Sequence, residues 1–535
     1  MAFGFLGAAV PKAEFTRLEF RLAHGGVEAR RFLKPGDGMG VLTGPAHGQS
    51  TRESGGGLIR PGAKEAHRAR SVAFPSFGLK PPSMLLSSVP YLDWPALPDP
   101  FHAQVISVLH QLDATQWWTA ERLRAHQFRQ LTALLSHFNR SSGFFRPRLD
   151  AYKAKFGRRL DPESFRAIPL LTRDDIRSAG TGLFNADLPL AQGQWRESGS
   201  SGSSGPPVVV RKTEANEVFH AALCLRDHIW QERDFSQSFA SIRRYEHGVA
   251  MGPEGRAEER WFGCMATGTS FSLNSAFTTI SEQIDWLLRV RPGYVFSYAS
   301  LLRGLALHCE RAGITMPWIK GLVSFGEVLT PAQRDDCRRV FGVAPRDSYS
   351  ASEVSVMAIE CPDAPGLYHA QSESVLLEIL DPRGEPCPPG VPGRVVVTDL
   401  HNLATPMIRY EIGDIAEWGE ACVCGRGLPV LRRIVGRTLS LLRLPDGDTL
   451  IPDIERQDLH LIAPIREAQV IQRGFSEMEV RLATDRPLTD DELARVGRAI
   501  SHGLHDRAFD FRFVIMDHIP RSQAGKFEAF RCEIP

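Results

Sequence analysis

The residues from Glu197 to Pro207 form a serine- and glycine-rich tract that runs into three valines at 208–210. Glycines let successive backbone N–H groups converge, and serine hydroxyls add donors. Ser200, Ser201, Gly202, Ser203, Ser204 and Gly205 therefore suit a polyphosphate. A flexible linker is the alternative, because Gly/Ser tracts commonly serve that purpose. The position of the tract, mid-chain and just ahead of a β-branched run, is that of a loop between strands. It is not a Walker A loop, since the Gly-Lys-Ser/Thr ending is missing. Two further segments carry acids: Asp347–Val354, with Tyr349 four residues before Glu353, and Pro406–Asp414, ending Gly413-Asp414. Read alone, the first is a core Tyr beside a surface Glu, and the second closes a turn. Near the end, Ile519–Phe527 contains Gly525-Lys526, and its plain reading is a basic terminal loop. Cys422-Val423-Cys424 supplies half of a tetrahedral zinc site, with Cys361 and His369 upstream. Two buried thiols in a turn are the alternative there.

These segments need a scaffold. From His102 to about Lys155, Val105, Val108, Leu109, Leu112, Leu123, Phe128, Leu131, Leu134 and Leu135 recur at three- and four-residue spacings, which predicts helix. Helical stretches then alternate with short β-rich runs at 321–325, 374–380 and 393–398, the pattern of an α/β domain. After Gly436-Arg437 the pattern restarts. Strand-like runs near 439–444, 468–472, 478–482 and 511–516, and a helix beginning near Thr489, predict a small α+β domain.

Order and spacing together carry more than any segment alone. The set resembles the adenylate-forming superfamily of acyl-CoA synthetases, and within it the phenylacetate–CoA ligase branch. The tract at 200–205 resembles that family's phosphate loop. Ser324-Phe325-Gly326-Glu327 resembles its adenine-side segment, and Asp347–Glu353 its Tyr-Gly-x-Ser-Glu motif. Pro406–Asp414 resembles the branch's Pro-Leu-Ile-Arg-Tyr-Arg-Thr-Gly-Asp. Gly436-Arg437 is similar to the Gly-Arg ending the large domain, and Gly525-Lys526 to the C-terminal Gly-Lys. The resemblance runs from about Tyr91 to the C-terminus.

It implies an α/β large domain (84–437), a small α+β C-terminal domain (438–535) and a hinge between them. It also implies an AMP-forming acid–thiol ligase that uses ATP, Mg²⁺ and CoA on an aromatic or related small carboxylic acid. Residues 200–205 would hold the β/γ-phosphates, with Ser324, Gly326 and Glu327 on the adenine side. Tyr349 would stack on adenine, and Asp414 would accept from the ribose hydroxyls. Glu353 would bind Mg²⁺, Arg437 would lie at the ribose–phosphate side, and Lys526 would bridge the substrate carboxylate and α-phosphate. Some members of the branch hold a structural zinc with a Cys/His pair and a Cys-x-Cys, implying Cys361, His369, Cys422 and Cys424 here. An acid pocket is expected between Trp261 and Phe296, where Phe262, Phe271 and Trp286 also lie; ordinary core is the alternative. A homodimer is expected by analogy. Transfer of the activated acid to a carrier protein or an amine, or nucleotide binding without turnover, remain the alternatives. Three departures stand out: Pro206 where the phosphate loop has Lys, Ser350 where the tyrosine motif has Gly, and Thr438-Leu439 where an Asp marks the hinge.

Composition sets bounds. The 535 residues hold 63 Lys+Arg against 62 Asp+Glu, a net charge of +1, which gives no broad electrostatic grip on nucleic acid or anionic membrane. No apolar run approaches the roughly 18–20 residues that cross a bilayer. Nine cysteines spread through a long chain are not a disulfide framework, so a reducing, cytoplasmic setting is expected. The first 83 residues hold 14 Gly and 7 Pro and predict a disordered extension, with Met84 a candidate start of the folded part.

Overall fold

The computed structural model describes residues 85–156, 160–199, 208–437, 441–447, 449–450, 452, 454, 459–521 and 526–534. The segment 1–83, Met84, the tract 200–205, Pro206, Thr438-Leu439 and Gly525 lie outside the described residues. The helical periodicity after His102 resolves into Pro100–Thr115, Ala120–Ser141 and Arg146–Phe156. In the second, Leu123, Leu131, Leu134, Leu135 and Phe138 are buried along one face while Thr119 caps the start through Arg122 N.

The centre is a twelve-stranded mixed sheet. One half is parallel, in the order Ser270–Asn274, Phe239–Arg243, Tyr294–Ser297, Gly321–Phe325, Pro345–Ala351, with Arg256–Glu258 antiparallel at the edge. These strands are short and mostly buried, as parallel sheets require. The other half is antiparallel: Ser355–Glu360, Tyr368–Ala370, Val430–Arg437, Tyr410–Trp418, Pro392–Asp399 and Val375–Leu380. A separate four-stranded sheet, in the order Asp510–Met516, Glu477–Thr484, Ile465–Gln472, Phe530–Cys532, carries the helix Asp490–Gly503 and its own buried apolar set, including Leu442, Val480, Val496 and Ile500. That helix starts at a capping box, Thr489 with Glu492.

The expected run at 321–325 appears as a strand with those ends, and the runs at 374–380 and 393–398 appear as Val375–Leu380 and Pro392–Asp399, each end within one residue. The run at 439–444 contributes only Leu442–Arg443 among the described residues. The last strand, Phe530–Cys532, pairs parallel to Ile465–Gln472 and has no counterpart in the sequence reading.

The expected acid pocket is corrected. Trp261 and Trp286 are each 1% exposed within the main core. Their indole N–H groups donate to Gln237 O and Glu254 O, both at 2.9 Å. Phe262 and Phe271 pack against the same core. A buried indole needs one acceptor and otherwise behaves as a large hydrophobe, and that is what these do.

Candidate active site

Two local devices place the acids. Ala351 pairs with Ser355, so Ser352, Glu353 and Val354 form a three-residue hairpin loop. Ser355 sits at φ +80°, the left-handed residue such a loop needs. Glu353 is thereby held at the tip of a hairpin, yet it is only 3% exposed; the reading of it as a surface Glu fails. Gly413-Asp414 lies inside the strand Tyr410–Trp418 rather than closing a turn. Gly413, at φ +84°, marks a bulge where pairing jumps from Arg394/Ile415 to Val396/Glu411. The bulge turns Asp414 to face Arg437 on the next strand.

Asp414 accepts from Tyr349 OH at 2.7 Å and pairs with Arg437 Nε at 3.1 Å. Burial, then the adjacent Asp414 carboxylate, holds the Tyr349 phenol well above its ordinary value. The same carboxylate raises Arg437. Glu353 pairs with Arg173 at 3.2 Å and accepts from Ser352 Oγ at 3.0 Å and Tyr410 OH at 3.4 Å. Arg173 opens the helix Arg173–Ala179, which is anchored to the Tyr410 strand because Leu171 N donates to Arg409 O and Glu411 N to Leu171 O. Arg173 Nε and Nη1 are sealed from solvent and have no hydrogen-bond partner among the described residues. A buried donor without an acceptor costs about 1–3 kcal/mol.

Gly326-Glu327 follow directly from the carboxyl end of the parallel strand Gly321–Phe325, where open α/β sheets bind ligands. Gly326 has φ +74°, and a Cβ on it would stand 3.1 Å from Lys526 Cε. Glycine here leaves room for the lysine stem. Glu327 accepts from Ser300 N at 2.8 Å and from Phe527 N at 2.6 Å, so it clasps the Lys526 segment to the main sheet. Burial, then Arg437, lowers the Lys526 amine, while Asp414, Glu327 and Glu353 pull it back up. Ser324 is fully buried and donates to Asp347 Oδ1 at 2.6 Å. Asp347 also accepts from Tyr368 OH at 2.9 Å.

Glu353, Asp414, Tyr349, Arg437, Glu327, Gly326 and Lys526 thus meet, although they are spread over some 200 positions. Ser324 stands behind them in the sheet, and the tract 200–205 lies outside the described residues. Arg173 and Tyr410 were missed as site residues. The only signal for Arg173 was the capping box Thr172–Asp175 that precedes a short helix.

A second cluster joins Cys361, His369, Cys422 and Cys424, whose donor atoms all lie within 4.8 Å of one another. Cys361 Sγ and Cys422 Sγ are 3.6 Å apart, and Cys424 Sγ is 3.3 Å from His369 Nε2. Disulfide sulfurs would be about 2.05 Å apart, whereas thiolates on one tetrahedral zinc stand roughly 3.8 Å apart. His369 Nδ1 lies 3.3 Å from Leu428 O, which orients Nε2 toward the sulfurs. Gly427 lets the loop close: a Cβ there would fall 1.7 Å from Trp118 O.

No protein-family model matches the chain. Among curated proteins it is similar to the phenylacetate-coenzyme A ligase of Thermus thermophilus, 26% identical over 390 residues that cover 69% of this chain and 82% of that one. The phenylacetate-coenzyme A ligase of Escherichia coli is 22% identical over 444 residues, covering 78% of this chain and 97% of that one. Among solved structures, 2-hydroxyisobutyryl-CoA ligase in its postadenylation state aligns with a TM-score of 0.62 at 17% identity, over 78% of this chain and 90% of that one. That last likeness is one of fold. No described helix is long and apolar enough to cross a membrane.

Proposed function

We propose that this relative of the phenylacetate–coenzyme A ligases, an adenylate-forming protein of the acyl-CoA synthetase type, is an AMP-forming acid–thiol ligase. It activates a carboxylic acid with ATP and passes the acyl group to coenzyme A. The observation that carries this reading is the meeting of Lys526 with Glu353, Asp414, Tyr349 and Arg437, drawn from distant stretches of chain.

A carboxylate is a poor electrophile, because its charge is delocalised and it lacks a good leaving group. Attack of one of its oxygens on the α-phosphate of ATP expels pyrophosphate and leaves AMP as the later leaving group. Several negative charges must come together, so the protein's work is positioning and charge neutralisation. A carboxylate such as Asp414 offers about four lone-pair sites; Tyr349 and Arg437 occupy two, leaving capacity for the ribose hydroxyls. Tyr349 backs the adenine, with Gly326 at the same strand end. Arg173, paired with Glu353, brings a cation to this side of the site that offsets the loss of Lys at Pro206. Lys526 neutralises the acid carboxylate and α-phosphate as they approach, worth about 3–4 kcal/mol in the transition state. Residues 200–205 hold the β/γ-phosphates. Glu353, a buried carboxylate that pairs with Arg173 and accepts from two hydroxyls, is a hard-oxygen ligand suited to Mg²⁺, which when bound would neutralise phosphate charge.

The small domain 438–535 swings about the junction after Arg437 to present a different face for thioester formation. The acid is an aryl or arylacetic acid by kinship with the branch. Cys361, His369, Cys422 and Cys424 fit a structural zinc: four ligands leave no open position for chemistry. The test is acid-dependent ATP–pyrophosphate exchange, followed by addition of CoA and detection of the acyl thioester. Exchange with no acid in a broad panel would refute adenylation. Exchange without thioester would move the acceptor to a carrier protein or an amine.

A further inference from the structure

An acid attacking the α-phosphate must approach from the side opposite the leaving pyrophosphate, because displacement at phosphorus runs in line. In the central sheet the Glu353 hairpin, which serves the pyrophosphate side, lies to one side of the strand Gly321–Phe325. Tyr294–Ser297 and Phe239–Arg243 lie to the other. These three strands run parallel, with Ile242 level with Ser297 and Ser297 level with Ser324. The residues that follow, Arg243, Tyr298 and Phe325, therefore stand level at the carboxyl ends, one step short of Gly326 and the lysine beside it.

Tyr298 spans the gap between the lysine and the end of the Phe239–Arg243 strand. A Cβ on Gly326 would lie 3.1 Å from Lys526 Cε and 3.9 Å from Tyr298 Cδ1, so the lysine stem and the near edge of the ring share one neighbour. At the far end of the ring, the hydroxyl accepts from Arg244 N at 3.3 Å. Burial raises the Tyr298 phenol, while the Arg244 N–H and then the charge of Arg243 lower it. The Arg243 guanidinium is thus within electrostatic reach of that far end.

Arg243 has no counter-charge. It is half-buried, and its Nε is sealed from solvent without a partner among the described residues. No hydrogen bond or ion pair from a described residue reaches its other nitrogens. Every other described arginine with such a sealed donor also holds a carboxylate, as Arg173 holds Glu353. The guanidinium is nonetheless held in place. Its Cζ lies 4.2 Å over the Tyr245 ring, whose hydroxyl is 3.0 Å from Ser241 Oγ and 3.1 Å from Ser272 Oγ. Stacking fixes the plane of a guanidinium and leaves its in-plane donors for the two oxygens of a carboxylate.

We infer that Arg243 binds a second carboxylate at the far end of the acid substrate, so that the enzyme activates dicarboxylic acids in preference to monoacids of the same skeleton. This rests on the reading of the protein as an acid-activating ligase and narrows the acid class that reading leaves broad. One carboxylate meets Lys526 and the α-phosphate, the skeleton lies along Tyr298, and the other carboxylate takes the Arg243 donors. Neighbouring strands stand about 4.8 Å apart, so Gly321–Phe325 and Phe239–Arg243, with one strand between them, end about 10 Å apart. A ring with carboxylates at opposite ends, or a chain such as glutarate, spans that gap once both cationic side chains reach inward. A plain acid leaves Arg243 unpaired, and an ammonium would face it.

The test is ATP–pyrophosphate exchange by the full chain with matched pairs: phenylacetate against 4-carboxyphenylacetate, benzoate against terephthalate, and butyrate against glutarate. Coenzyme A is absent from that assay, so its phosphates cannot account for an effect of the cation. In at least one pair the diacid is expected to exceed its partner about tenfold or more in kcat/KM, since the monoacid forfeits a charge-assisted pair of hydrogen bonds. Arg243→Met, which keeps the bulk and removes the charge, should bring that ratio to one or below. The ratio is taken within one variant, so general loss of activity cancels, and the wild-type ratios decide even where the variant is inactive. Ratios at or below one in every wild-type pair, or a diacid preference that survives Arg243→Met, overturn the proposal while adenylation stands. Failure of every acid to support exchange overturns adenylation, and this inference falls with it.

Discussion

Replacing Arg409 by Met tests whether the Ile408-Arg409-Tyr410 run feeds the site through structure or through contact. Arg409 is 3% exposed and spends four of its five N–H groups inside the protein. Nε and Nη2 bond Glu378 at 3.0 Å each, and Nη1 bonds Ile168 O at 2.7 Å and also Arg166 O. Met fills similar space with no donors, so Glu378, whose side chain is 12% exposed, loses its counter-charge. Removing one partner of a buried ion pair costs about 3–5 kcal/mol, whereas replacing both by apolar groups is often near neutral. Arg409→Met should therefore lower the urea midpoint of the transition reporting the main sheet by the equivalent of about 3–5 kcal/mol. The double variant with Glu378→Met should recover most of that loss. The folded single variant should keep its KM for ATP within about twofold, because almost no donor on Arg409 remains for a nucleotide. Unfolding by tryptophan fluorescence and ATP titration of exchange give the two readouts. A loss under about 1 kcal/mol, a double variant no better than the single, or a large rise in KM would refute this reasoning.

The zinc proposal expects close to one zinc per chain by elemental analysis, falling to near zero in Cys422→Ser, with a lower Tm in the variant and in chelator-treated protein. Equal metal content in the two proteins would count against it. Asp399, raised to about 6 by burial, binds its proton more tightly folded than unfolded. Its protonated form is the favoured one in the fold, so its contribution declines as pH rises from about 4 to 6 and is flat above. The shift corresponds to about 2–3 kcal/mol at most. The stability difference between Asp399→Asn and the wild type should therefore move in favour of the variant across that window. A difference independent of pH would contradict the assignment.

Much of the scaffold was legible because local rules and fold agree. The β-rich run at 321–325 is a strand, and the helix expected to begin near Thr489 forms. What the sequence hid were long-range pairings. Nothing local tells that Arg173 would meet Glu353 180 positions later, or that Glu327 would hold Phe527 N. Burial was similarly opaque: Trp261 and Trp286 look like a ligand belt, yet each is consumed by the core. Gly413 read as a turn because a glycine before an acid usually closes one; only the partner strand reveals a bulge. The role of Gly326 likewise depends on where Lys526 arrives.

The account rests on Lys526 serving the first half-reaction from its place beside Gly326 and Asp414. Lys526→Ala measured in both halves separately tests this most directly. Acid-dependent ATP–pyrophosphate exchange should fall on the order of 10²–10³-fold, while thioester formation from supplied acyl-adenylate and CoA stays within a few-fold of wild type. Exchange that survives the substitution intact would remove Lys526 from adenylation and contradict the arrangement described.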